Sequence, residues 1–352
     1  MATNDKKKSK GLGLPQTKGS FQIRGIVKGV EKDNFYKESK TKETNTPMRR
    51  VNFGVDINKD QTVYVELMGM KRDKVFFSKS TGEGKDRKTE TEEISWNNRF
   101  DFKKDGFKLI GTNVGIVKTK DDNGNEVNDK KTMVEFDACE YIGENLKDDM
   151  SVFVKGNLDY STYNGKHYTK YIINQLSLCQ KAIDFEDEKF AVTGNFEQTI
   201  VIMGVEKKDN EFVVSAKIVG FNSIEDTEFI VRDEKLAKNL RKLKPYTTIK
   251  VFGNIEVQNN ADLIEEEDDD GWGTPNPMKK ISNPTIRLLV ITGADKETID
   301  NTIYDEETIS NALAKIKVNK AADKDYGDGD DDDSWGNASI KSSNEDDDPD
   351  EW

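Results

Sequence analysis

The chain has 352 residues, with 54 Lys and Arg against 67 Asp and Glu and a net charge of −13. That length suits about two domains of ~150 residues, and a charged fraction of 34%, against the ~25% usual in soluble domains, means that part of the chain cannot sit in a packed core. No run approaches the ~20 apolar residues of a membrane helix, the basic N-terminus lacks the apolar stretch of a signal peptide, and with His167 the sole histidine, His-based metal sites and His-dependent triads are nearly excluded.

In chain order, residues 1–18 read as a basic disordered arm with five Lys against Asp5. Short alternating runs follow at Phe21–Val30, Val51–Ile57 and Thr62–Met70, which predict β-strands. The loop between the first two is rich in rings and cations: Phe35, Tyr36, Lys37, Lys40, Lys42, Arg49 and Arg50. In the third strand, Val63, Val65 and Leu67 share one face, assigned to the core, so Tyr64 and Met68 point outward. Parity likewise places Val51, Phe53, Val55 and Ile57 in the core.

An insertion at about 78–137 carries Trp96, Phe100, Phe102 and a hairpin. Its strands Gly111–Lys118 and Thr132–Phe136 would turn at Asn123-Gly124. A short helix is expected at Ala138–Leu146, then strands at Val152–Tyr160 and Tyr168–Leu176. Between those strands lies a loop in which rings and cations interleave: Tyr160, Tyr163, Lys166, His167, Tyr168, Lys170 and Tyr171. Lys155 falls on the outward face of the preceding strand.

After a linker at 182–188 the pattern repeats, with strands at Phe190–Val205, Glu211–Phe221, Glu228–Val231, Thr248–Val257 and Thr285–Thr292. A helix at Glu234–Lys244 aligns Leu236, Leu240 and Leu243. Residues 152–160 (VFVKGNLDY) match 249–257 (IKVFGNIEV), and Phe21–Gly25 match Phe190–Gly194. Each half therefore reads as three strands, a helix and two strands, with glycines where a small barrel bends. This is the OB-fold arrangement, giving barrels at 19–181 and 189–300. In the second, Phe212, Phe221 and Phe229 are expected in the core, and the loop 258–284 is strongly acidic. A C-terminal helix is expected within 301–320, its pattern spanning Asp305–Lys317. Residues 321–352 then carry 13 acidic against two basic residues and read as a disordered tail. Aromatics follow its acidic runs, at Trp335 and Trp352.

The segment SVFVKGNLDYSTYNGKHYTKYIINQLSL (Ser151–Leu178), together with the acidic C-terminus ending in an aromatic, resembles single-stranded DNA-binding proteins of the bacterial and bacteriophage type. Two features depart from that family: two barrels stand in tandem, and the tail ends Pro-Asp-Glu-Trp instead of Pro-Phe. A phage-encoded version is the expectation.

The resemblance implies sequence-independent binding and protection of single-stranded DNA during replication, recombination or repair, in a bacterial cytoplasm or a phage-infected host. Cationic grooves and aromatic platforms suit that chemistry. The candidate DNA-binding residues are Tyr36, Lys37, Lys40, Arg49, Arg50, Tyr64, Lys155, Tyr160, Tyr163, Lys166, His167, Tyr168 and Lys170. Tyr160 and Tyr171 are also the rings best placed to cap the barrel end. Asp346, Asp347, Asp348, Asp350, Glu351 and Trp352 would form the peptide that docks replication or recombination proteins, and the tail would compete with DNA for the groove. No catalytic residue, cofactor or metal site is expected, since no Walker-type glycine loop, EF-hand spacing or nucleophile–base pair occurs. A homo-oligomer is compatible with this reading. The alternatives are a structural or protein-interaction module of tandem barrels, or an RNA-binding protein.

Overall fold

Alternation of buried and outward side chains runs through β1 (Gly19–Lys28) and β4 (Thr62–Met70); β3 (Pro47–Asp56) buries side chains from Val51 on, and β2 (Tyr36–Lys40) buries none. In the computed structural model, which describes residues 11–42, 44–82, 87–163, 166–258 and 286–325, the insertion follows. It comprises β5 (Lys74–Thr81), β6 (Lys88–Ser95), a 3-10 turn at Trp96–Asn98, β7 (Lys108–Leu109), β8 (Thr112–Gly115), β9 (Lys118–Lys120), β10 (Glu126–Asn128) and β11 (Lys131–Met133). Then come α1 (Glu135–Asn145), β12 (Ser151–Tyr163) and β13 (Lys166–Leu178). The second half holds β14 (Thr193–Lys208), β15 (Glu211–Val219), β16 (Ile224–Val231), α2 (Glu234–Arg241), β17 (Thr247–Gln258), β18 (Ile286–Asp300) and α3 (Glu306–Asp325).

The pairing closes two barrels of the same topology. In the first, β1 lies between β12 and β3, β3 pairs with β4, and β12 with β13. A parallel contact at Ile172 and Glu66 joins β13 to β4. In the second, β14 lies between β15 and β17, β15 pairs with β16, and β17 with β18. Parallel pairing of Ile230 with Val290 closes it. The chain is thus mainly β, with two tandem OB-fold barrels and a helix after the third barrel strand of each.

The cores follow strand parity. Val51, Phe53, Val55, Ile57, Val63, Val65 and Leu67 are all buried, each larger side chain contributing ~1.5–3 kcal/mol by leaving water. Closure depends on a matched pair of glycines. A β-carbon on Gly156 would lie 1.8 Å from the Ile172 carbonyl oxygen, and one on Gly253 would lie 1.9 Å from that of Val290. Both sit at register shifts in their hairpins, where the strand bends.

The barrels share backbone. β1 pairs with β14 from Gly19↔Gln198 to Arg24↔Thr193 while still holding β12 on its other edge. One continuous sheet, in the order β12-β1-β14-β17, therefore runs across both barrels.

Several expectations need correction. Residues 11–18 of the supposed disordered arm are packed. Leu12 is buried, its N–H donates to the Phe221 carbonyl, and Thr17 exchanges hydrogen bonds with Val219. Tyr304 donates its hydroxyl to the Pro15 carbonyl, and Leu12, Ile309 and Ala312 share a second apolar cluster. Residues 1–10 lie outside the described part.

The insertion starts at Lys74 and not 78, because β5 pairs directly with β6 around a small core of Val75, Phe77, Trp96 and Val134. Its final strand ends at Met133, since α1 has already begun at Glu135 with acidic residues in its first turn. The turn at Gly124, with φ +80°, joins β9 to β10 as the hairpin reading required.

Phe212 and Phe229 are core, but Phe221 is about half exposed, at the end of the strap that Leu12 makes. The last helix extends to Asp325, beyond the expected 320, so five residues assigned to the tail are helical. Asp305 and Thr308 cap its start reciprocally. The acidic loop at 259–285 and the tail from 326 lie outside the described residues.

Candidate nucleic-acid interface

The outward face of the first barrel gathers residues from three strands. Tyr64 projects from β4, opposite Gly54 of β3, and is 42% exposed. On the neighbouring parallel strand, Ile172 is level with Glu66. Two residues back along both strands, on the same face, come Lys170 and Tyr64. Lys170 is paired in register with Asp159 of β12, and Tyr168 with Ser161. Burial raises the Asp159 carboxyl above the usual carboxylate range, while the Lys170 ammonium pulls it back down. From the second barrel, the Arg287 guanidinium lies over the Tyr64 ring, 5.4 Å from its centroid.

The region between β12 and β13, read as a loop, is a continued ladder whose pairs extend to Tyr163↔Lys166. That changes the role of its tyrosines. A strand alternates, so Tyr160 turns inward with Leu158, and the inward Tyr171 packs edge-on against Phe21, ring centroids 5.1 Å apart. Tyr160 is 7% exposed and its ring is closed to a base; it is removed from the candidate set. Tyr168 and Lys170 are half-buried and His167 is exposed. The side chains of Tyr163 and Lys166 lie outside the described residues. Thr162 ties this hairpin to the second barrel, sharing a 2.9 Å hydrogen bond with His167 Nδ1 and donating to Glu225 at 2.7 Å.

The second cluster is a hairpin and not an open loop, because β2 pairs with β3 from Tyr36↔Val51 to Lys40↔Pro47. Three of its candidates are occupied. The Tyr36 ring packs against Gly143 of α1, and its hydroxyl donates to Glu38 at 2.5 Å. Burial and that carboxylate together push its titration upward. Arg49 forms a two-pronged pair with Glu140, a third bond to Glu38, and a stack on Phe136 at 4.1 Å. Arg50 holds Glu66 at 2.5 Å. These three stabilise the barrel end and are corrected to structural roles. Lys37 and Lys40 are exposed and remain available to phosphates, as does Lys155 on the outward face of β12. The docking residues Asp346, Asp347, Asp348, Asp350, Glu351 and Trp352 lie outside the described part.

Sequence reasoning missed three surface groups. Arg287 follows the acidic loop, and nothing local to it indicates Tyr64. Phe252, 44% exposed, occupies the position in VFGNIEV that Lys155 occupies in VFVKGNLDY, so the repeat itself could have found it. Phe100, 67% exposed, stacks on Arg99, which also stacks on Trp96 and pairs with Asp137. Among the described residues, no group of three or more His, Cys, Asp or Glu is gathered to hold a metal, and no helix is long and apolar enough to cross a membrane.

Closed five-stranded sheets with this connectivity define a tandem OB-fold protein. The chain belongs to the YorF family, whose model matches residues 82–328. No curated protein matches it. Among solved structures it is similar to the wild-type single-stranded DNA-binding protein of Thermus aquaticus, at 10% identity and a TM-score of 0.37, over 80% of this chain and 93% of that one. A deletion mutant of the same Thermus aquaticus protein matches at 9% identity and a TM-score of 0.38, over 83% and 98%. A replication protein A heterotrimer bound to single-stranded DNA matches at 9% identity and a TM-score of 0.21, over 88% and 98%. At these scores the fold assignment rests on this chain's own strand order.

Proposed function

We propose that this protein binds single-stranded DNA without sequence preference, through the outward face of its first barrel. The observation that carries the reading is the grouping of Tyr64, Lys170 and Arg287: an exposed ring with an arginine of the other barrel over it and a lysine on the same face of the neighbouring strand. Stacking on an exposed ring serves every base alike, while cations follow the phosphates. Tyr168, His167 and the exposed Lys37, Lys40 and Lys155 widen the cationic and aromatic surface.

The chain's charge supplies the regulatory half of the proposal. Residues 326–352 carry most of the acidic excess of the C-terminus. Tethered to a DNA-binding body, they compete with the strand at high effective concentration. DNA occupancy then frees the segment around Asp346–Asp348, Asp350, Glu351 and Trp352 for replication, recombination or repair proteins. A phage setting is proposed as the context.

Titration with labelled oligo-dT and with duplex of equal length, following intrinsic fluorescence, tests the proposal. Preference for the single strand with quenching supports it. Equal or absent binding transfers the protein to the interaction-module reading. Competition between oligo-dT and oligo-U distinguishes DNA from RNA.

A further inference from the structure

The junction between the barrels holds a second aromatic surface that the first-barrel face does not include. Phe252 is paired with Glu197 of β14 on one side and with Gly293 of β18 on the other. Its ring lies against Gly293: a β-carbon there would come within 2.4 Å of the ring. Glycine thus leaves room for the ring on the backbone, and the residue is still 44% exposed. A ring held this way keeps its orientation before any ligand arrives, which lowers the entropy cost of stacking.

Two adjoining hollows, of about 460 and 450 Å³, meet at Phe252 and Glu197. Their walls come from both barrels. The first barrel supplies Gln22 and Lys155, which are paired across β1 and β12, and Asn195 of β14 is level with Gln22. Glu197 is neutralised by Lys250 at 3.0 Å. The Asn195 side-chain amide donates to Asn254. The hollow that reaches the first barrel is therefore one exposed ring beside amide groups and an exposed lysine, while the hollow on the other side of the ring is lined by Ala294, Asp295, Lys296 and Glu297. An apolar peptide would meet few apolar side chains among these charged and amide groups. A nucleobase would find a face for stacking, amides for its polar edge, and an ammonium for its phosphate.

We infer that the groove over the joined sheet β12-β1-β14-β17 is a further single-strand subsite, with a base stacked on Phe252 and the backbone of the same strand continuing toward Lys155. The inference rests on the single-strand reading above and adds to it a defined route into the second barrel. Because β1 pairs with both β12 and β14, the subsite is fixed relative to the Tyr64 face.

Phe252→Leu tests it. Leucine still covers Gly293 but offers no ring, so thermal stability should change little while affinity for long oligo-dT falls about 5- to 150-fold, the range expected for one lost stack. Phe252→Trp keeps the stack, so it should bind near the original affinity and add a fluorescence signal that oligo-dT quenches. Unaltered affinity in Phe252→Leu, with Tyr64→Ala weakened, would overturn the inference alone and leave Phe252 as a cover for Gly293. Failure of the unaltered chain to bind oligo-dT would overturn both readings.

Discussion

The guanidinium of Arg287 lies 5.4 Å from the centre of the Tyr64 ring, and the two residues belong to different barrels. Arg287 opens the last strand of the second barrel, so the contact places a cation of one barrel on the outward face of the other. If phosphate meets this arginine, Arg287→Ala should flatten the dependence of log affinity on log salt by about 0.7, the slope of one phosphate contact to a single strand. Anisotropy titrations of labelled oligo-dT at several salt concentrations measure this. An unchanged slope would make Arg287 a cap for Tyr64 alone.

The corrected placement of Tyr160 separates stability from binding. Its hydroxyl is buried and makes no hydrogen bond to any described residue, as is also true of Tyr171. Removing a buried hydroxyl of this kind leaves no partner stranded. Tyr160→Phe should keep or raise the melting temperature and leave the oligo-dT dissociation constant unaltered. A weakened constant would return Tyr160 to the binding face.

Barrel closure is tested at Gly253, where an added methyl would collide with the Val290 carbonyl. Gly253→Ala should cost about 3 kcal/mol or more, since backbone and not a flexible side chain must give way. Urea denaturation measures the cost. Near-unaltered stability would mean that the strand need not bend there.

The buried thiol of Cys139 gives a pH prediction. Burial pushes its pKa up to about 12 from 9.0, while contacts to backbone groups resist the shift weakly. Between those values the folded chain keeps a proton that the unfolded chain releases. Stability contributed below about pH 9 is therefore lost as pH rises toward 12. Cys139→Ala should flatten that alkaline decline in denaturant midpoint. An identical decline would assign it to other groups.

The acidic tail gives a further test of function. Truncation after Asp325, the last described residue of the final helix, removes the acidic segment without cutting a described element. Oligo-dT affinity should rise, most at low salt where the competing charge is least screened. Equal affinity at every salt concentration would remove the competition from the account.

Much of the fold was legible because it is local and repeated. Alternation placed Val63, Val65 and Leu67 inside, and the duplicated Gly-Asn marked both bending strands. Tyr160 was read both as a binding ring and as a cap of the barrel end, because a ring beside a turn looks the same in a loop and in a continued ladder; the ladder turns it inward and leaves it the second role. The ion pairs of Arg49 with Glu140 and of Arg50 with Glu66 join distant segments, so the sequence showed the charges without their partners. Leu12 was read as part of a basic arm because its pocket is assembled from Val219, Tyr304 and Ile309, far along the chain. Phe252 was visible in the repeat but obscured by the acidic loop that follows it.

The central claim is that ring faces on the first barrel stack on unpaired bases. The double substitution Tyr64→Ala and Tyr168→Ala tests it most directly, through oligo-dT titrations over a range of salt. The account predicts affinity lowered by at least about 30-fold, from ~1–3 kcal/mol for each of two lost stacks, with the salt slope preserved because no cation is removed. A double variant that binds as tightly as the unaltered chain would contradict it.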